Sequence, residues 1–355
     1  MVQNIGTTRL LRVTLFVAVL IGVGLWAMHR GIGFSQSRSQ EADRQKQASA
    51  NGEVKGLSTG DLTQDGQLLL PFESRAAAAE LRPFAKDGFG VFRVPGAHAS
   101  VILDADSGVV MYENNAHVSR QIASLTKLMT SMIAVERIED LDEVVTIDEE
   151  AVYAEGTRVG CPRSGYCITQ RLVPGEKVTV RNLLKAALMN SANDAAIALG
   201  KHMGGTQSGF ADIMNKRAKE LGLEDTHFCT PSGLEPDGHE SECYSSAYDI
   251  AKIAANALKY QVLWDIMRLP ANTTITSVDG KYTHTLLNTD ALIDQYPNLI
   301  GTKTGFTPLA GYSLLAVATD PTKKHKVVSV VLNDPERWQD IQAMFNWAFS
   351  AHTWR

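Results

Sequence analysis

The sequence predicts an α/β chain of the α+β kind: one antiparallel sheet flanked by helices, with an all-helical subdomain. Three observations carry this expectation. Apolar runs of strand length stand near both ends of residues 95–350, at Ala99–Asp104, Val109–Glu113, Leu299–Thr304, Ala310–Ala318 and Val327–Leu332. The stretch between them, from about 123 to 259, carries its apolar residues at helical spacing. Short turns join neighbouring strand runs, a connection that only antiparallel strands can use. Strands from both ends then meet in one sheet, and the helical middle is an insertion.

The chain starts outside this domain. Arg9 and Arg12 precede the uncharged 16-residue run Val13–Met28, longer than most signal-peptide cores and slightly shorter than a usual membrane span. Residues 1–30 are expected to be a membrane anchor or a signal segment. A retained anchor is favoured over a cleaved peptide, because small-x-small cleavage sites are poor here: Gly22-Val-Gly24 is possible, but Leu25 spoils a cut after Ala27. Either reading exports the rest of the chain, to a periplasmic or other extracytoplasmic location. The plain alternative is a buried N-terminal helix. Residues 31–75 are expected to be a polar linker, because Ser, Gln, Gly, Lys, Glu and Asp bury too little apolar area to offset the entropy of ordering. That leaves 76–355 for one domain, with order starting between 61 and 95.

Within the domain, Asp106-Ser-Gly108 turns a β-hairpin. Leu125, Leu128, Met129, Met132, Ile133 and Val135 place a well-buried helix over about 123–138. Arg181–Met189 and Asp194–Met203 read as two helical pieces. They break at Asn190-Ser-Ala-Asn193, where Ser and Asn side chains compete for local backbone bonds. Further helices are expected over about 209–221 and 246–259. Asp320-Pro-Thr-Lys-Lys324 turns between the last two strands, and an amphipathic helix closes the chain over about 335–350.

Hydrophobic residues make up 44% of the chain, enough for an ordinary core, and a net charge of −5 argues against a nucleic-acid surface. The four cysteines, Cys161, Cys167, Cys229 and Cys243, suggest disulfides in an exported chain. Local pairing, Cys161 with Cys167 and Cys229 with Cys243, is the simplest of three possibilities. A zinc site from His227, Cys229, His239 and Cys243 has suitable residue types but matches no common zinc spacing, and free thiols are the bland alternative. No metal or cofactor is expected.

Three short motifs follow one another: Ser124-Leu-Thr-Lys127, Ser191-Ala-Asn193 and Lys303-Thr-Gly305. Together they hold a nucleophile, a base, a proton shuttle, an amide reader and an anion binder, the inventory of a serine acyltransferase that uses lysine as base. On a helix, residues three apart share a face with Cβ atoms about 5–6 Å apart, so Ser124 and Lys127 can meet. The positive helix end also favours charge developing at Ser124. A serine needs a base, and Lys127 serves only when neutral. At an ordinary pKa of about 10.4, roughly one lysine in a few thousand is neutral at pH 7. Burial and a second cation both lower that pKa, and Lys303 is the obvious second cation. Each motif also has a plain reading: an N-cap serine with a snorkelling lysine, helix capping by Ser191 and Asn193, and a strand-end lysine before a turn. Gly305 would let a substrate backbone lie close along the strand edge.

The text around these motifs resembles the low-molecular-mass penicillin-binding proteins, the serine D-alanyl-D-alanine carboxypeptidases. Leu103-Asp-Ala-Asp-Ser-Gly108, Ala123-Ser-Leu-Thr-Lys-Leu-Met129, Ser191-Ala-Asn-Asp-Ala195, Pro231-Ser-Gly-Leu234, Gly301-Thr-Lys-Thr-Gly-Phe-Thr307 and Ala310-Gly-Tyr312 carry the likeness, which runs over roughly 95–350. It implies the serine β-lactamase/transpeptidase-like fold. It also implies that Ser124 attacks the D-Ala-D-Ala bond of a peptidoglycan pentapeptide and that Lys127 takes its proton. Ser191 and Asn193 shuttle protons and hold the peptide amide, while Lys303 and Thr304 attract the terminal carboxylate. The backbone N–H groups of Ser124 and Phe306 form the oxyanion hole. Arg337 stands where the family often has an arginine near the carboxylate, its plain reading being a solvent-facing helix residue. β-Lactam antibiotics should acylate Ser124.

Two departures from the family stand out. A cysteine-bounded loop occupies Gly160–Gln170 and could border the cleft. The chain stops soon after the last helix, so no C-terminal β-domain is expected, and residues 13–28 are left to hold the membrane. Short relatives include D,D-endopeptidases that cut crosslinks, which is the alternative activity. A non-catalytic penicillin-binding or wall-binding protein is a further alternative. A class A β-lactamase is disfavoured, because Glu235, Glu240 and Glu242 lack a Glu-x-x-x-Asn context.

Overall fold

The computed structural model describes residues 81–162 and 166–355; the expected anchor 1–30 and linker 31–75 lie outside them. In chain order the elements are β1 (Pro83–Ala85), β2 (Ala99–Asp104), β3 (Val110–Asn114), α1 (Thr126–Arg137), β4 (Val144–Thr146) and α2 (Glu149–Val152). Then come β5 (Lys177–Thr179), α3 (Val180–Leu188), α4 (Asn193–Gly204), α5 (Gln207–Glu220), α6 (Ala247–Ala257) and α7 (Gln261–Met267). The chain closes with β6 (Asn272–Thr276), β7 (Thr283–Leu287), β8 (Leu299–Gly305), β9 (Ser313–Thr319), β10 (Lys326–Leu332), α8 (Arg337–Ala351) and β11 (His352–Trp354). No helix among the described residues is long and apolar enough to cross a membrane.

Strands from both ends meet in one five-stranded antiparallel sheet of order β3-β2-β10-β9-β8, as expected. Successive side chains on a strand point to opposite faces. Val101, Leu103, Leu315, Val317, Val328 and Val330 accordingly enter one buried cluster, shared with α1 and α6. Ile102, Leu314, Ala316, Ala318, Val327 and Val331 enter another, with Ile341, Met344, Phe345 and Ala348 of α8. Burial on both faces is why these strands read as nearly continuous apolar runs.

Helix α1 lies inside the domain. Every residue from Thr126 to Ala134 is buried, which is why its apolar residues run around the helix rather than along one stripe. Side-chain caps start the helices around it. Thr179, Thr206 and Ser246 accept from Asn182 N, Gly209 N and Asp249 N at the heads of α3, α5 and α6.

Several small elements escaped the sequence. The pairs β4–β5, β6–β7 and β1–β11 are three to five residues long and partly exposed, so they lack a clear apolar alternation. Strand β9 starts at Ser313 rather than Ala310, because Thr307 turns the chain by accepting from Ala310 N at 3.1 Å and Gly311 N at 3.0 Å. Helix α7, also unforeseen, props β8. Its Trp264 is 1% exposed and donates its indole N–H to Ala257 O at 2.9 Å. A Cβ at Gly301 of β8 would lie 3.1 Å from the Trp264 ring. Trp264→Ala is therefore expected to destabilise the domain by about 3–5 kcal/mol, read as a lowered midpoint in guanidinium unfolding.

Cys161 bonds to Cys167 and Cys229 to Cys243, so the local pairing is the one formed. That removes the zinc alternative at His227, Cys229, His239 and Cys243, since both its thiols are consumed.

Candidate active site

Ser124 lies in a 3-10 turn, Ala123–Leu125, that runs directly into α1, rather than within the helix itself. The backbone is strained here, with Ala123 at φ 49° in the left-handed region. Two glycines press on the turn and hold it. A Cβ at Gly233, itself at φ +79°, would fall 2.0 Å from Ala123 O, and a Cβ at Gly305 would fall 2.7 Å from Ile122 O. The missing side chain of Gly305 thus makes room for the turn that carries Ser124.

The one-turn spacing does what helix geometry promises, and Lys127 Nζ stands 2.8 Å from Ser124 Oγ. Nζ also donates to Asn193 Oδ1 at 2.7 Å and to Ser232 O at 2.6 Å. Lys127 is 0% exposed. Burial holds its pKa well below the ordinary lysine value; the charge of Lys303 lowers it further, and Asp194 opposes.

The break between α3 and α4 puts Ser191 at φ 56°, another strained non-glycine position. Its hydroxyl accepts from Lys303 Nζ at 2.9 Å. Asn193 opens α4 without capping it: Ala192 is the N-cap and makes no side-chain bond. The Asn193 amide instead bridges Lys127 and Glu155 O, donating to the latter at 2.6 Å. Beside it Asp194 is buried, and burial pushes its pKa up to about 6, although Val159 N at 3.1 Å and Ala195 N at 2.9 Å hydrogen-bond it.

Lys303 on the edge strand β8 is 0% exposed and also donates to Thr304 O at 2.9 Å. Burial, then the charge of Arg337, lowers its pKa to about 7. Thr304 Oγ1 donates to Thr289 Oγ1 at 3.1 Å. Phe306, 53% exposed, stacks on Tyr312 with centroids 4.7 Å apart. Arg337 does not face solvent as a plain helix residue would. Its guanidinium lies 4.9 Å from the Tyr312 ring centroid, and its Nη1 is buried without a hydrogen-bond partner.

The structure thus forms two hydrogen-bonded groups, Ser124–Lys127–Asn193 and Ser191–Lys303, close enough that the charge of Lys303 acts on Lys127, with Thr304, Gly305, Phe306 and Arg337 along the β8 side. Sequence reasoning gave no role to Ser232, whose carbonyl holds Lys127, nor to Asp194 or Glu155. Their contributions come from backbone carbonyls or from burial, which residue type does not reveal. Among the described residues, those just before the cysteine-bounded loop hydrogen-bond to the site. Thr157 O accepts from Asn193 N at 2.7 Å, whereas Gln170 O lies 2.7 Å from His284 Nδ1. Among the described residues no group of three or more His, Cys, Asp and Glu could hold a metal ion.

The contacts of Lys127 accommodate a neutral amine as well as an ammonium. Asn193 Oδ1 and Ser232 O can only accept, so Nζ donates two protons to them. A neutral amine then has one lone pair left, directed at Ser124 Oγ. In that state the Ser124 hydroxyl can donate to Lys127 Nζ across the 2.8 Å contact.

A family profile described as Peptidase_S11, D-alanyl-D-alanine carboxypeptidase, matches residues 94–336. The D-alanyl-D-alanine carboxypeptidase DacF of Bacillus subtilis is 33% identical over 261 residues, 72% of this chain and 63% of the relative. The chain therefore spans under two thirds of that relative's length. Its structure is similar to that of a D-alanyl-D-alanine carboxypeptidase from Mycobacterium tuberculosis, with a TM-score of 0.64 and 28% identity over 75% of this chain and 96% of that one. Penicillin-binding protein D2 of Listeria monocytogenes, solved in an ampicillin-bound form, gives a TM-score of 0.61 and 29% identity over 74% and 100% of the two chains.

Proposed function

This chain belongs to the Peptidase_S11 family of D-alanyl-D-alanine carboxypeptidases, and from that premise we propose that it is a serine D,D-carboxypeptidase acting on peptidoglycan stem peptides. The observation that carries the reading is the Lys127 amine, buried and directed at Ser124 Oγ by two carbonyl acceptors. In this reading Ser124 Oγ attacks the carbonyl between two D-alanines while Lys127 takes its proton. The oxyanion is received by Ser124 N and Phe306 N. Ser191 Oγ returns a proton to the departing D-alanine nitrogen, and Asn193 reads the peptide amide. Lys303, Thr304 and Arg337 attract the terminal carboxylate, with the orphan Nη1 of Arg337 supplying a donor for an anion. The peptide lies along β8, whose outer edge pairs with no other strand among the described residues. Water then hydrolyses the acyl-enzyme. β-Lactams acylate the same Ser124.

The same reading places the domain outside the cytoplasm, held at the membrane by residues 13–28. Incubation with a linear pentapeptide tests the activity: release of one D-alanine per peptide is expected, at rates above those on a crosslinked dimer. Faster cleavage of the dimer would make the enzyme an endopeptidase. No cleavage of either, with no labelling by fluorescent penicillin, would leave only a wall-binding role.

A further inference from the structure

The loop between Cys229 and Cys243 touches both walls of the site. Ser232 O accepts from Lys127 at 2.6 Å, and Pro231 O accepts from Thr130 Oγ1 at 2.7 Å. Gly233 packs on the Ala123 carbonyl so closely that no Cβ fits. On the other wall, Glu235 accepts from Thr307 Oγ1 at 2.7 Å, just beyond β8. Glu240 O accepts from Gln121 Nε2 at 3.0 Å, just before the Ser124 turn. Apart from the turn Glu240–Glu242, the loop has no regular structure of its own. Its ends are tied by the disulfide and, one residue or two outside it, by the His227–Tyr244 bridge. Ser232 is only three residues from Cys229, and both cysteines are half-buried, within reach of a reductant.

We propose that the Cys229–Cys243 disulfide is a positioning element for acylation, an inference that rests on the acyl-enzyme reading above. Closed, it holds Ser232 O on Lys127 and Gly233 under the Ser124 turn. Opened by a dithiol, it frees both contacts and slows acylation. The exchange is balanced: the S–S bond breaks, Cys229 and Cys243 each gain a hydrogen, and the dithiol leaves as its own disulfide. Small displacements at a reacting centre cost rate steeply. The pH profile moves as well. Burial is the largest cause of the low Lys127 pKa, with Lys303 on β8 lowering it and Asp194 on α4 raising it. A loosened loop admits water, raises that pKa and shifts the acid limb of acylation to higher pH.

The test compares the oxidised protein, the dithiothreitol-treated protein and Cys229→Ser/Cys243→Ser, using a Cys161→Ser/Cys167→Ser background so that the other disulfide does not contribute. Alkylation and mass measurement establish which thiols are free, and circular dichroism that the fold is retained. Second-order acylation by fluorescent penicillin is expected to fall about tenfold or more on opening. The acid limb should move upward, and reoxidation should restore the rate. Gly233→Ala should mimic the loss with the disulfide closed. An opened, folded protein with unchanged rate and profile overturns the inference, as does a loss that only follows the unfolded fraction. An oxidised wild type that takes no label sinks the acyl-enzyme reading itself; a labelled one indifferent to the disulfide sinks this inference alone.

Discussion

Lys127→Ala is expected to lower acylation by a penicillin, and kcat/KM for a pentapeptide, by about a thousandfold, within the range seen for a general base. Lys127→Arg should do no better, because an arginine cannot give up its proton to act as a base. The wild-type rate should fall as pH drops through the lowered pKa of Lys127, since the ammonium has no lone pair for Ser124. That acid limb should vanish in Lys127→Ala, whose residual rate no longer depends on the amine. Stopped-flow or gel-based acylation rates across pH decide the matter. A variant within tenfold of wild type, or one that keeps the acid limb, would falsify the role.

Lys303→Ala should act in two separable ways. It removes a buried cation from the carboxylate site, worth about 2–4 kcal/mol, or roughly a hundredfold or more in kcat/KM for a substrate with a free terminal carboxylate. A C-terminally amidated substrate should lose far less. The variant also removes a charge that lowers the Lys127 pKa. Removing a neighbouring cation raises that pKa, so the acid limb should move to higher pH. In the wild type the opposite limb is expected to belong to Lys303. Its pKa of about 7 means that the free enzyme loses this cation as pH rises through neutrality, and a bound carboxylate stabilises the charged form and pushes that limb upward. Comparing free and amidated peptides across pH separates the two effects. Equal losses on both peptides, with an unmoved acid limb, would leave Lys303 only a structural role.

How much of this was legible depends on the distance over which each feature is decided. The sheet was legible because β2, β9 and β10 are buried on both faces, and such strands read as unbroken apolar runs. The hairpin β6–β7 was not, because Asn272–Thr276 is mostly exposed polar residues, with Ile275 alone buried and too little apolar alternation to read. Arg337 could be placed in the last helix from the sequence. Its stacking on Tyr312 accompanies Asp334 N donating to Tyr312 O at 2.6 Å, a contact between the residues before α8 and the start of β9.

The sequence by itself determined the chemical inventory, the strand and helix content, and the meeting of Ser124 with Lys127, because that meeting needs only one turn of helix. Tertiary structure alone decided the rest. The partners of Lys127 at Asn193 and Ser232 lie 66 and 105 residues away, and Lys303 meets Ser191 across 112. Only the packing of α1 between the helical subdomain and the sheet brings them together. That same burial strips Lys127 of water, which is the largest reason its amine can be neutral.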